Sequence, residues 1–304
     1  MKGRFCILLA LSVSFLISCN SRTNRSGDFV FPDADSIPLS EAEKLSEEAI
    51  DDISRNISSP VEIADILQRM NVPFTTSYLA SDIDASRLST SYDRALKLGI
   101  LGADLGYLNM YEKTGTAVDL LASIKKLADG INVGQYFDFE AIKRLSLNRS
   151  NLDSLLFIST SSYNEIDRFL RENDRGQLSA LMITGVWIEG QYLATQVLRE
   201  FPDTILRNRV GEQKVILNDL IMLLAPYCNS GEEFKALCQL MSDLRQNYRD
   251  IRITYTIGEP VMMEKDGALV VVQTDESKVE MTDDQLKDII AISEKVRNEL
   301  IKIN

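Results

Sequence analysis

Two acidic residues stand inside apolar, glycine-bearing stretches of the sequence: Asp104 in "LGILGADLGYLNMYE" and Glu189 in "ITGVWIEGQYLATQ". A carboxylate buried in such a stretch needs a partner or a raised pKa, because an isolated buried charge is unfavourable. Two carboxyl groups flanking a cleft are also the catalytic pair of glycoside hydrolysis. Acidic residues number 45 among 304, so the pattern alone is a weak indication of an enzyme.

Aromatic side chains accompany these carboxylates and extend the candidate site. Together they could line a pocket for a ligand or an interface with a partner, and the predicted residues are Asp104, Tyr107, Tyr111, Trp187, Glu189 and Tyr192. No catalytic residue, metal ligand or cofactor is predicted. The chain has no histidine, the commonest transition-metal ligand and general base, and it lacks a nucleophile elbow and a phosphate-binding loop.

The glycines of the same two stretches predict a close crossing of helices. A glycine inside a helix costs roughly 0.5–1 kcal/mol relative to alanine, so close packing or a ligand should offset it. Spacings of three and four residues place Gly99, Gly102 and Gly106 on one helix face, whereas Gly185 and Gly190 lie on two faces of the other helix. Packing is favoured over a ligand, because small and aromatic stripes in buried helices are usually packing features.

The elements that position these residues are mostly helices. Apolar periodicity and capping residues predict a mainly α fold, an antiparallel multi-helix array or bundle, with a small antiparallel β insert near 251–274 and a final helix from Thr282 to Ile303. The β insert includes a hairpin turn at Asp266-Gly267. Because the predicted helices can pair, a solenoid of helical repeats is an alternative fold. Further helices are predicted near 39–57, 59–70, 86–113, 116–130, 138–148, 151–173, 177–200, 203–225 and 231–249.

The N-terminus predicts export and lipid attachment. A basic start and an apolar run too short to span a bilayer indicate a signal peptide over 1–18. The residues up to Cys19 resemble the bacterial lipobox, so Cys19 is expected to carry the lipid anchor. Residues 19–38 are polar and contain proline, as a flexible tether would, and the folded domain covers 39–304. Asn20 in place of aspartate points, by resemblance to bacterial lipoproteins, to the outer membrane. Arg22 and Arg25 stand where surface-displayed lipoproteins of the Bacteroidota usually carry an acidic run, so the domain is expected to face the periplasm.

Charge narrows the range of partners. Removal of residues 1–18 leaves 31 basic and 45 acidic residues, a formal charge of −14. Nucleic acid and anionic lipid surfaces are therefore poor partners. The predicted partners are the membrane, through the lipid anchor, and either another protein or an apolar ligand.

Two cysteines, Cys228 and Cys238, remain in the folded domain. An oxidising compartment would permit a disulfide between them. Cys228 stands just before the turn "NSGE" and Cys238 about two helical turns after it, which in an antiparallel hairpin places the two at different heights. Two buried free thiols are the favoured prediction.

The two glycine-bearing stretches, with "SPVEIADILQRMNVPF" upstream, resemble a family of predicted lipoproteins common in Bacteroidota. Members of that family show glycine-aspartate-leucine and tryptophan-isoleucine-glutamate-glycine segments in the same order. The resemblance covers most of the mature chain. It implies location in the cell envelope and a helical fold, and it supplies no catalytic residues.

A second resemblance concerns modification. Asp35-Ser36-Ile37 matches the short acceptor pattern of general O-glycosylation in Bacteroidota. The same pattern recurs at Ser154 and Thr204, where predicted helix starts favour these residues as caps. Ser36 lies in the proline-flanked linker, where a transferase can reach the backbone, so Ser36 is the predicted glycosylation site.

The function predicted is that of an outer-membrane-anchored, periplasm-facing lipoprotein whose helical domain is a non-catalytic binding or scaffold module. A carrier for an apolar or amphiphilic small molecule, held between the glycine-bearing helices, is the alternative. A carboxylate-dependent hydrolase is a third, and the question of an enzyme stays open. The surroundings of Trp187 and Glu189 distinguish these three functions. A closed core favours the scaffold, an apolar cavity favours the carrier, and an open acidic cleft favours the hydrolase.

Overall fold

A computed structural model describes residues 29–30, 66–67, 69–80, 83–146, 152–256, 258, 261–265, 268–272 and 276–302. The predicted signal peptide, the lipidation residue Cys19, the glycosylation residue Ser36 and the helix predicted near 39–57 lie outside the described residues.

The fold is mainly α-helical, as the periodicity of the sequence predicted. Local capping residues begin several helices: Thr90 and Asp203 accept hydrogen bonds from first-turn backbone N–H groups, and Thr282 forms the predicted capping box with Gln285. The helices are α1 Ser91–Met110, α2 Thr114–Gly130, α3 Phe139–Ser146, α4 Leu152–Glu172, α5 Gly176–Glu200, α6 Thr204–Leu224, α7 Glu232–Gln246 and α8 Asp283–Ile301.

Three of these helices share one type of C-terminal end. Glu112, Asn132 and Asp174 follow α1, α2 and α4 with φ of 54–57°. The next residue in each case donates its backbone N–H to a carbonyl five residues back, at 2.7–2.9 Å, which is the Schellman arrangement. Glycine, which usually takes the left-handed position, is absent from all three, and the chain instead turns at longer polar side chains.

Helices α1 and α5 form the centre of the helical body. Between Ala95 and Met110 every residue of α1 is buried except Gly102 and Gly106, which are half-buried. From Leu178 to Leu198 of α5 the exceptions are Val186 and Gly190. Helix α2 packs on α1, while α4, α6 and α8 pack on α5. Each central helix is therefore covered on most of its circumference.

Five strands complete the described structure: β1 Phe29–Val30, β2 Arg252–Thr256, β3 Val261–Lys265, β4 Ala268–Val272 and β5 Glu276–Glu280. Strands β3 and β4 pair antiparallel, from Val261 opposite Val272 to Lys265 opposite Ala268, and the predicted turn residues Asp266 and Gly267 lie outside the described residues. This hairpin belongs to one compact unit of the chain, and the helices with most of β2 and β5 belong to the other. The three-stranded sheet has the order β1-β2-β5, so two residues of the predicted tether form an edge strand.

The prediction of free thiols was wrong, because Cys228 and Cys238 form a disulfide with a Cα–Cα distance of 5.8 Å. A 3-10 turn, Ala225–Tyr227, extends the chain past the end of α6 before Cys228. Helix α7 begins at Glu232 and returns alongside, which brings the two cysteines level. The difference in height expected from a direct turn at the end of α6 is thereby removed.

Candidate functional site: a buried carboxyl–guanidinium cluster

The candidate site centres on an ion pair between α5 and α8. Arg297 donates from Nε to Oε2 of Glu189 and from Nη2 to Oε1, both at 2.9 Å. The two parallel hydrogen bonds match the planar guanidinium to the carboxylate, which is the strongest geometry for such a pair. Glu189 has no exposed surface and Arg297 is 4% exposed, so the pair is part of the core.

The second predicted carboxyl group, Asp104 of α1, lies beside this pair. Its Oδ2 accepts the backbone N–H of Ala80 at 2.8 Å, and its carboxyl group lies within hydrogen-bonding reach of that of Glu189. Burial, reinforced by the charge of Glu189, raises the pKa of Asp104 well above its ordinary value. Burial also raises the pKa of Glu189, although the contacts with Arg297 oppose that change.

Arg297 connects the cluster to two further elements. Its Nη2 donates to the carbonyl oxygen of Tyr78 at 3.2 Å, and its guanidinium lies 4.3 Å from the ring centroid of Tyr192. A cation over an aromatic face is attracted by the ring quadrupole, the more strongly when both are desolvated. One buried side chain thus joins α8 to α5 and to the segment that precedes α1.

The remaining predicted residues lie in two other places. Tyr107 accepts the backbone N–H of Thr75 at 3.2 Å and stacks on Phe74, with 5.5 Å between ring centroids. Tyr111 contacts Tyr107 edge-on at 4.9 Å, and burial raises its pKa to about 12. Trp187 points toward α6, where its Nε1 donates to Gln213 Oε1 at 2.9 Å. The structure therefore unites Asp104, Glu189 and Tyr192 in the cluster. Tyr107 and Tyr111 pack with Phe74 next to it, with Tyr107 6.4 Å from Tyr78 between ring centroids, and Trp187 lies against α6.

The helix crossing involves two of the five predicted glycines. A Cβ added to Gly99 would overlap the carbonyl oxygen of Met182, and one added to Gly185 would overlap that of Leu96. Gly99 and Gly185 therefore let the backbones of α1 and α5 touch. Asp104 follows Gly99 on α1 and lies beside Glu189, which follows Gly185 on α5. The two helices therefore run in the same direction.

The other three glycines do not lie at a crossing of backbones, which corrects the prediction for them. Gly102 faces the hydroxyl of Tyr163, which donates to the carbonyl oxygen of Leu98 at 3.0 Å. Around a Cβ on Gly106 or Gly190, no atom from another element of the described structure lies within 4 Å. Both positions are open, because the line of closest approach between the helices passes through Gly99 and Gly185 and leaves these residues to one side.

Sequence reasoning missed Arg297 and the backbone groups of Tyr78 and Ala80. A signal for Arg297 existed: Ile289, Ser293 and Arg297 recur every four residues on the buried stripe of α8, so a basic residue stands where an apolar one is expected. The contribution of the segment before α1 had no such signal, because it is made by backbone groups, which every residue has and which the pattern of side chains does not indicate.

The geometry of the cluster decides what it can do chemically. Glycosidases need two carboxyl groups about 5–9.5 Å apart with a cleft between them. Asp104 and Glu189 instead lie within hydrogen-bonding reach of each other and are enclosed, with 1% and 0% of their surface exposed. Within the described residues no group of three or more side chains is placed to hold a metal ion. The cluster connects three elements and offers no surface to a substrate.

Fold and site together define a mainly α-helical protein whose central helix pair is tied to α8 by a buried ionic cluster. In comparisons with known proteins, no family model, curated protein or solved structure matches the chain. None of the described helices is long and apolar enough to cross a membrane.

Proposed function

We propose that the chain is an outer-membrane-anchored lipoprotein that faces the periplasm and whose helical body is a non-catalytic binding or scaffold module. The observation that supports this is the packing of the predicted site, since Glu189 is fully buried and Trp187 is 5% exposed. A closed core at these residues was the outcome expected for a scaffold. The resemblance to Bacteroidota lipoproteins agrees with this location and stays a prediction.

The anchor is tested with Cys19→Ala, compared with Cys6→Ala inside the predicted signal peptide. Cys19→Ala should abolish labelling with palmitate and move the protein from the membrane fraction to the soluble periplasmic fraction, because a lipid anchor supplies the membrane affinity. Cys6→Ala should keep both label and location. Palmitate retained on Cys19→Ala would refute lipid attachment at this residue.

A carrier for an apolar or amphiphilic small molecule is the second candidate, and one observation favours it. Gly102, Gly106, Val186 and Gly190 are the half-buried residues within the otherwise buried stretches of α1 and α5, and space is open above Gly106 and Gly190. A glycine inside a helix lowers helix stability relative to alanine, and at Gly106 and Gly190 no packing contact of the described residues offsets this loss. A ligand seated there would account for it.

A fluorescent fatty acid distinguishes the two candidates. A carrier should bind the probe saturably, and Gly106→Leu or Gly190→Leu should abolish binding by filling the open space, whereas Gly115→Leu at an exposed position of α2 should not. A scaffold should show no saturable binding in any variant and should give a discrete crosslinked adduct in the native envelope. Saturable binding that survives both α1 and α5 substitutions would reject the carrier site.

A further inference from the structure

The charges of the buried cluster do not balance unless a proton is bound. Two carboxyl groups, Asp104 and Glu189, meet one guanidinium, Arg297, and each of the three side chains is 5% exposed or less. Both hydrogen bonds that the guanidinium makes to a carboxyl group go to Glu189. Asp104 receives one N–H, that of Ala80, and its buried Oδ1 receives no N–H or O–H group from the described residues.

The contact between the carboxyl groups has a chemical requirement. Two carboxylates are both acceptors, so they can be hydrogen-bonded to each other only through a proton carried by one of them. Glu189 is stabilised as the anion by two hydrogen bonds from Arg297, whereas Asp104 accepts no hydrogen bond from that guanidinium and its Oδ1 receives no donor from the described residues. The proton therefore belongs on Asp104, which donates it to Glu189.

We propose that Asp104 and Glu189 form a binding site for a single proton, occupied at neutral pH, which makes the junction of α1, α5 and α8 electrically neutral. Burial and the neighbouring Glu189 raise the pKa of Asp104 in the same sense. This site is independent of the proposed envelope function and goes beyond it.

The ionisable groups around Asp104 come from each element that packs on it. Helix α5 contributes Glu189 and Tyr192, α8 contributes Arg297, and the segment before α1 contributes Tyr78; Tyr107 follows one turn later on α1. Burial raises the pKa of all three tyrosines above its ordinary value, so they are neutral at neutral pH. Glu189 and Arg297 are thus the charges that Asp104 faces.

The proton makes stability depend on pH in a defined direction. A carboxyl group whose pKa is higher in the folded chain than in the unfolded chain binds more protons when folded. Its contribution is complete below the unfolded pKa and is lost as pH rises through the folded value. The unfolding equilibrium constant should therefore increase by up to about tenfold per pH unit over this range.

The decisive variant is Asp104→Asn, which mimics the protonated acid. The asparagine Oδ1 can accept the N–H of Ala80 while its Nδ2 donates to Glu189, so both hydrogen bonds persist without a titrating proton. We expect this variant to be at least as stable as the parent at neutral pH and to lack the Asp104 part of the pH dependence. Asp104→Leu, which cannot make either bond, should be destabilised at every pH.

Asp167→Asn is the matched control. Asp167 is a buried carboxylate on α4 that accepts hydrogen bonds from Arg171, the shortest at 2.7 Å, and from Ser179. Because Asp167 pairs with a cation directly, its amide variant should lose stability at neutral pH. If Asp104→Asn loses as much stability as Asp167→Asn, and its pH profile parallels that of the parent, the proton site is refuted.

Infrared spectroscopy gives a second readout that does not depend on stability. Burial raises the pKa of Asp219 to about 6, so the spectra are recorded at a pH well above 6, where Asp219 is ionised. At that pH the parent should retain the carbonyl stretch of a protonated carboxyl group, that of Asp104. That band should be missing from Asp104→Asn. A parent spectrum without a protonated carboxyl band would overturn the proposal, even if the variants failed to fold.

Discussion

The glycines of the two central helices, α1 and α5, have opposite surroundings. Gly99 and Gly185 sit where the backbones of α1 and α5 touch, so any side chain there would collide with a carbonyl oxygen. Gly106 and Gly190 occur on the same helices, yet within the part of the chain that the structure describes no neighbouring element comes within 4 Å of an added Cβ. The same residue type is thus required by packing at two positions and not at the other two.

This contrast predicts opposite effects of alanine. Gly99→Ala and Gly185→Ala should each lower the free energy of unfolding by about 1–3 kcal/mol, since an overpacked crossing must shift its backbones. Gly106→Ala and Gly190→Ala should leave it unchanged or raise it by about 0.5–1 kcal/mol through helix propensity. Denaturant unfolding followed by the fluorescence of Trp187, the single tryptophan, measures all four. Equal effects at the four positions would contradict the assigned crossing.

At the scale of elements, helices were predictable because their signals are local. Capping residues such as Thr282 lie within four residues of the groups they bind, and the apolar stripe of α8 repeats within one helix. The ionic cluster was half predictable. Asp104 and Glu189 showed that a partner was needed, but Arg297 lies 108 residues from Glu189, and no local pattern specifies which residue of a distant helix arrives there.

The same limit applies to the disulfide and to the glycines. The difference in height expected for Cys228 and Cys238 follows from an ideal helical hairpin, whereas the 3-10 turn after α6 changes the register of the return. Which glycines meet depends on the direction and stagger of α1 and α5. Sequence periodicity defines the faces of helices and leaves their relative placement undetermined.

The disulfide should stabilise the connection of α6 to α7. Cys228 and Cys238 are separated by 10 positions, and closing a loop of this length removes roughly 2–3 kcal/mol of chain entropy from the unfolded state in the loop-closure account. The paired replacement of both cysteines by serine should lower the melting temperature accordingly. A reducing agent should produce the same shift in the parent and none in the double variant. An unchanged melting temperature on reduction would show that the bond adds no stability.

At the scale of the whole molecule, the proposed export would determine which modifications the chain meets. If the native host has the general O-glycosylation pathway, Ser36 should carry the glycan, because the sequence around it is polar and proline-flanked. Ser154 and Thr204 stand in the first turns of α4 and α6, where the backbone is engaged in helical hydrogen bonds. Intact mass of the native protein and of Ser36→Ala tests the assignment. The same glycan mass on both proteins would place the sugar elsewhere.

Strand β1 also bears on how far the body can travel from a lipid anchor. With Phe29–Val30 held in the three-stranded sheet, ten residues run from the proposed anchor Cys19 to the fold, not the twenty that end at Leu39. At full extension ten residues span at most about 33–36 Å, whereas twenty residues would span about 66–72 Å. Halving the radius cuts the volume open to the body about eightfold, and the local concentration of a partner in the same membrane rises in proportion. If Cys19 carries the proposed anchor, two strand residues therefore set the range of encounters available to the protein.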